Sequence, residues 1–346
     1  MQKKFLISIS SLMTLALSIH AATPLQQALP LLQKNNRTMT ENQQVLQLFR
    51  TSNDPDTIFA AGASLVKTLP ARIQEPVLYT VLLRSSNPLK QTFAAVIITA
   101  MGSIHEELVP TLLEALSGKD TVLRAYAAGA YALIDSTDKT HTDDIIRLYA
   151  FDPAFSQRAL NALTEKQTQV LAFAKKASAA QDVSTRAAAA AWLGDQHSAQ
   201  ATKQLLKRTK KETDPNVSTQ LATALAKNRD LALTETVAGL KQNYKTPQAA
   251  TYALALGFMT GNAVDALRRG LADKNSNVRI NSARAAAYMA GVLSNPDAFA
   301  YSQDRAFDTH LLKGLIAPLN ALATSGTEDE QVYAKNALTQ IEKLME

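Results

Sequence analysis

Two hydrophobic patterns alternate along the chain. In one, leucines and other large apolar residues recur at helical spacing and give each segment a single apolar stripe, as in residues 73–85, 106–118, 198–212 and 261–273. In the other, small residues occupy the positions that should be buried. Val278-Arg279 is followed by Ser282, Ala283, Ala285 and Ala286; Leu123-Arg124 by Ala127, Ala128, Ala130 and Tyr131; Thr185-Arg186 by Ala189, Ala190, Trp192, Leu193 and Gly194. Segments that alternate apolar and polar residues are few, so the pattern predicts helix throughout.

The small-residue segments repeat. The position of Leu193 recurs at Leu65, Ile97, Tyr131, Leu163, Leu193, Leu225, Leu256, Ala286 and Leu338, with intervals of 30 to 34 residues until a last one of 52. Eleven residues before these positions stand Asp54, Ser86, Asp120, Asp152, Asp182, Asp214, Lys245, Asn275 and Thr327. All but Lys245 can accept a hydrogen bond from a free N–H at a helix start. Proline follows at 55, 153 and 215, at the helical position that tolerates it. The caps took no part in setting the register yet fall into it, so the repeat is real. Each unit then holds an alanine-rich first helix and a leucine-striped second helix. Such a hairpin cannot bury its faces alone and must stack on its neighbours.

Residues 273–291, 118–133 and 181–194 resemble HEAT-type repeats, in particular the short bacterial form with an Asp…Val-Arg…Ala-Ala…Ala-Leu-Gly helix. The resemblance covers about residues 50 to 345. It implies an all-α fold, an α-solenoid superhelix of about nine or ten HEAT-like helical hairpins, and a role as a binding scaffold. It also implies pairing of acidic and basic residues between successive units. Arg124, Arg186 and Arg279 match the basic position, whereas Ser156 and Ser218 interrupt it. The expected organisation is a leader at 1–22, capping helices at 23–50, repeats at 51–292, an insertion loop at 293–308 that accounts for the long interval, and a terminal capping repeat at 309–346 with a helix from about Thr309.

The first residues change the picture of where the protein works. Lys3 and Lys4 precede an apolar run from Phe5 to Ile19, and Ala21 and Ala22 provide small residues for cleavage. The run contains four serines and is short for a membrane span. Export is expected, to the periplasm or beyond the cell, with no transmembrane segment after cleavage. Losing the leader's two lysines lowers the formal charge from +6 to +4, and the chain contains no cysteine. Disulfides, thiol nucleophiles and thiolate metal sites are thereby excluded.

Candidate chemistry is sparse. His105, His141, His197 and His310 fall in different repeats, and His105-Glu106-Glu107-Leu108-Val109 lacks the second histidine of a helical zinc motif. His141 with Asp143 and Asp144 reads as a helix start. No nucleophile elbow or glycine-rich phosphate loop occurs. No cofactor, no metal and no catalytic residue is expected. The clearest charge feature is Lys203, Lys207 and Lys211 on one helix face with Arg208 and Lys210 beside it, echoed by Arg268 and Arg269 two units later. If second helices line the binding surface, these cations meet the partner. Nucleic acid is not expected for an exported chain; an acidic protein partner, or weak contact with an anionic membrane surface or glycan, fits better. The 293–308 segment adds Phe299, Tyr301 and Phe307 to the candidates, either as a fold-back cover or as a substrate loop of an enzyme or enzyme accessory.

Overall fold

The computed structural model describes residues 24–68, 81–100, 106–164, 166–295 and 304–345. Those residues form helical hairpins with no strand among them, so the fold is the all-α solenoid class. The leader expected at 1–22, most of the second helix expected at 73–85, His105, Phe299 and Tyr301 lie outside the described residues. The chain divides into two compact units, residues 1–115 and 116–346.

In the first unit, α1 (Pro24–Gln33) and α2 (Met39–Thr51) precede the hairpin helices α3 (Pro55–Thr68) and α4 (Pro88–Ala100), and α5 (Val109–Ser117) begins in it and ends two residues beyond it. A reciprocal capping box starts α2: the Glu41 amide donates to Thr38 Oγ1, and the Glu41 carboxylate accepts the Thr38 amide at 2.8 Å. The neighbouring Arg37 is buried, and its guanidinium donates to Ser64 Oγ and, at 2.9 Å, to the Ser64 carbonyl. That charge ties α1 and α2 to α3. Burial lowers its pKa, against the opposing pull of Glu41.

The second unit has two layers. The first-helix layer comprises α6 (Thr121–Ile134), α8 (Pro153–Leu163), α10 (Val183–Asp195), α12 (Pro215–Lys227), α14 (Pro247–Phe258), α16 (Ser276–Ser294) and α19 (Glu328–Met345). Between them run α7 (Thr142–Leu148), α9 (Gln167–Ala177), α11 (Ala199–Thr209), α13 (Arg229–Gly239), α15 (Val264–Leu271), α17 (Arg305–Lys313) and α18 (Ile316–Ser325). From α10 onward each first helix packs on the next: α10 on α12, α12 on α14, α14 on α16, α16 on α19. The small residues explain how. A Cβ built on Gly194 would lie 2.8 Å from Ala224 Cβ and 2.9 Å from its Cα, and Gly257 is as close to Tyr288. Ala189 and Ala283 are fully buried.

The caps match the register with two shifts. Asp120, Asp152, Asp182, Asp214 and Asn275 each accept an amide of the following helix, and Asp54 accepts the Thr57 amide. At Ser86 the cap moves one residue on to Asn87, which accepts the Leu89 amide at 3.0 Å. At Lys245, which has no acceptor, Thr246 takes over. Glu330 accepts the Thr327 amide at 2.9 Å. Beyond α16, Asp304 caps α17, which begins at Arg305 rather than near Thr309.

The close packing is interrupted once. Trp192 occupies a position where small residues stand elsewhere, and it fills the space between α8 and α10 with its Nε1 donating to Gln157 at 3.0 Å. Here α7 packs on α10 instead. Ion pairs follow the arginine register. Arg124 donates to Asp144, which also pairs with Arg147; Arg147 continues to Asp182 and Thr185. Arg186 meets Glu212 at 2.9 Å, and Arg279 meets Glu330. The run breaks where expected: Ser156 bonds the Ile145 carbonyl, and the Ser218 hydroxyl is buried without a partner.

Candidate functional site

An open cleft of about 990 Å³ lies along α14, α16 and α19. Its floor is apolar, from Ala250, Leu254, Ala287 and Val292, with Gly291 of α16 beside them. A Cβ built on Gly291 would meet nothing within 4 Å, so this glycine leaves space rather than permitting contact. The rim carries Tyr244, Lys245, Arg284, Tyr288, Tyr333 and Asn336.

Helical geometry fixes which side of the stack this is. At about 100° per residue, the cleft residues Ala287, Tyr288 and Gly291 of α16 lie roughly opposite Ser282, which lies against Gly270 of α15. Likewise Ala250 and Leu254 of α14 lie roughly opposite Tyr252, whose ring covers Gly239 of α13. The cleft therefore opens on the first-helix layer, away from the second helices.

The rim is held in place from below. Asn281, fully buried in α16, donates to the carbonyls of Leu240 and Gln242, and so fixes the turn that carries Tyr244 and Lys245. Glu330 accepts from Ser276 and from Arg279 Nε at 3.0 Å, which seats α19 against α16. Burial works against the Glu330 charge, yet the bonds from Ser276, Thr327 and Arg279 hold its pKa below 4.5. Tyr244 and Tyr333 meet edge to face at 5.9 Å. Lys245 lies over the Tyr244 ring at 5.4 Å, and Arg284 over the Tyr333 ring at 4.8 Å. Tyr244 donates to Asp329, and this bond raises its pKa; its hydrogen bond with Lys245, and after it the charge of Asp329, raise that of Lys245. Arg284 Nη2 reaches Tyr333 Oη at 2.8 Å, and no carboxylate among the described residues lies within salt-bridge distance. The site offers a fixed guanidinium, aromatic edges, a carboxamide and an apolar floor.

The cations expected to bind a partner lie elsewhere. Lys203, Lys207, Lys210 and Lys211 are exposed on and just beyond α11, whose opposite face buries Ala201, Thr202, Leu205 and Thr209. Arg208 leans on Glu212 at 3.6 Å. Arg268 and Arg269 are exposed on α15, and Arg268 pairs with Asp265 at 2.8 Å. These residues face outward from the second-helix layer, and none of them lines the cleft of α14, α16 and α19. Phe307, in the first turn of α17, is 57% exposed.

Among the described residues no group of three or more His, Cys, Asp or Glu is placed to hold a metal. His141 begins α7 with its ring against Tyr131, and Asp144 is occupied by Arg124 and Arg147. His197 sits in a turn at φ 44°, and His310 is exposed on α17.

Sequence reasoning missed the cleft because it searched the second helices. One signal was available: Arg284 and Tyr288 stand four residues apart on the polar side of an alanine helix, and Tyr333 recurs on the same side of the next. Asn281 was hidden among alanines, where a buried amide has no pattern of its own.

No family model matches the chain, and no curated protein matches it. Solved structures do. An engineered protein is 20% identical with a TM-score of 0.28, over 96% of this chain and 98% of that one. Kap121p bound to RanGTP is 13% identical with a TM-score of 0.44, over 92% of this chain and 39% of that one. A structure of microtubule polymerases with TOG domain arrays is 12% identical with a TM-score of 0.30, over 88% and 91%. The hairpins of the present chain are identified from its own caps and helix contacts.

Proposed function

We propose that the protein is an exported, non-enzymatic scaffold that holds a segment of a partner protein in the cleft of α14, α16 and α19. One observation carries this role: three successive repeats each send polar or aromatic side chains to one open apolar cleft, which exists only because the repeats are stacked. Surfaces of this kind, apolar at the centre with tyrosine and arginine at the rim, match the composition of protein interfaces. The exposed lysines of α11 add a second, electrostatic surface that attracts acidic partners or makes weak contact with anionic surfaces. Export is supported by the basic start, the apolar run from Phe5 to Ile19 and the small residues at 21 and 22, and the cysteine-free chain works without disulfides in either compartment.

Two experiments test this. A photo-crosslinking residue placed at Asn336 should give discrete protein adducts in the native cell, whereas one at exposed Ala306 on α17 should not. Equal labelling at both positions would reject the cleft as the docking surface. Protein recovered from the native cell should begin at Thr23, and a chain that retains the leader would reject export with cleavage.

A further inference from the structure

The cleft contains an arginine that meets no carboxylate among the described residues. Arg284 is half-buried on the cleft wall, oriented by the Tyr333 ring and hydroxyl, and no carboxylate among the described residues pairs with it. The arginines at the repeat's basic position differ from it: Arg124, Arg186 and Arg279 all meet carboxylates. From these observations we infer that Arg284 is a receptor for a carboxylate, and that the cleft takes an extended peptide segment in which an Asp or Glu side chain lies beside an apolar or aromatic one. The inference depends on the scaffold role proposed above and adds the chemistry of the partner.

The parts fit that ligand. A guanidinium held in position before binding loses little freedom when it pairs, and its hydrogen bonds to a carboxylate are charge-assisted. Lys245 contributes to the positive rim, although Asp329 partly offsets it. The floor of Ala250, Leu254 and Val292 suits an apolar side chain, and the space above Gly291 admits it. A saccharide fits less well. It would stack on ring faces, and one face each of Tyr244 and Tyr333 is already taken by Lys245 and Arg284.

The test pans a random peptide display library on the full chain and on a Gly291→Trp variant, which fills the cleft from a position where an added Cβ meets nothing within 4 Å. Peptides enriched only on the unmodified chain are then synthesised with Asp and Glu, and again with Asn and Gln in their place. Replacing the acid should weaken binding by about tenfold or more, in line with a hydrogen bond to a charged group. Arg284→Gln should cause a similar loss, and the two changes together should cost little more than either alone. Arg284→Lys, which keeps the charge but not the fork, should fall between. Tyr333→Phe, which removes the hydroxyl that positions Arg284, should weaken the acidic peptides and leave their amide versions unaffected. Amide peptides that bind as tightly as acidic ones would overturn the carboxylate receptor while leaving the scaffold role standing. Failure to enrich any Gly291-dependent peptide would overturn both. Gly291-dependent binding of an anionic polysaccharide without any peptide would replace the peptide by a glycan.

Discussion

The two outward faces of the second unit are built from the same repeat but differ in chemistry. On the first-helix side, α14, α16 and α19 leave a cleft with an apolar floor, three tyrosines and one arginine that meets no carboxylate among the described residues. On the second-helix side, α11 and the turn after it present four exposed lysines, Lys203, Lys207, Lys210 and Lys211. The difference follows from side-chain size. Alanine and glycine bring the first helices close at their contact line, and where a small residue points outward, as at Gly291, the same economy leaves a hollow. The leucine-striped second helices turn most of their bulk inward, and on α11 the outer positions carry flexible cations. A hollow gives short-range, shape-dependent recognition; exposed lysines give long-range attraction that salt screens.

The comparison breaks most readily at Glu330. Its carboxylate joins Arg279 and Ser276 of α16 to the start of α19, and its side chain is 2% exposed. Glu330→Ala leaves Arg279 without its partner and unseats one wall of the cleft, at a cost of about 3 kcal/mol. Chemical denaturation should show that loss, and peptide binding to the cleft should fall with it while the α11 lysines stay in place. The pH dependence has a defined sign. Because the folded pKa of Glu330 lies below its ordinary 4.5, its contribution is complete above that value and is lost as pH falls through the folded value. The variant should therefore show a shallower loss of stability on acidification than the parent chain. An equally steep acid limb in both would remove Glu330 from the account.

Next in size is one substitution made at two glycines. Gly194→Ala places a Cβ against the backbone of Ala224 and should destabilise by about 1–3 kcal/mol. Gly291→Ala meets nothing and restores helix propensity, so it should stabilise by about 0.5–1 kcal/mol. Opposite shifts in denaturation midpoint would confirm that small residues serve contact in one place and space in the other. Shifts of the same sign would merge the two roles.

Much of the fold was legible before any coordinates, for particular reasons. Cap residues act locally, so Asp120, Asp152, Asp182, Asp214 and Asn275 announced their helices directly. Even the exception at Lys245 was informative, since the cap moved only to Thr246. The arginine register forecast partners for Arg124, Arg186 and Arg279, but Arg147 was overlooked because it sits on a second helix and bridges Asp144 to Asp182. Burial opposes the Asp182 charge, while bonds from Ser184 and Thr185 and the charge of Arg147 together hold its pKa well below the carboxylate range. The cleft was not legible because it depends on residues 244, 284 and 333 meeting across three repeats. Spacing along the chain defines a face, not whether neighbouring faces enclose a hollow. Charge, by contrast, is conspicuous in sequence, which is why Lys203, Lys207 and Lys211 drew attention first.

The smallest expected effect belongs to those lysines. Reversing Lys203, Lys207 and Lys211 together to glutamate removes no buried contact, since all three are exposed and α11 packs through its other face. Stability should change by less than about 1 kcal/mol. Association of an acidic cleft-binding peptide should slow at low ionic strength and recover at physiological salt, where charges more than about 8 Å apart are screened. Its dissociation rate should not change, because the cleft holds the bound peptide on the other side of the stack. Gly291→Trp should behave in the opposite way, with binding lost at every salt concentration. Stopped-flow association measured across a salt series separates the two faces. A dissociation rate that rises in the lysine variant would place the bound partner on α11 and return the docking surface to the second helices.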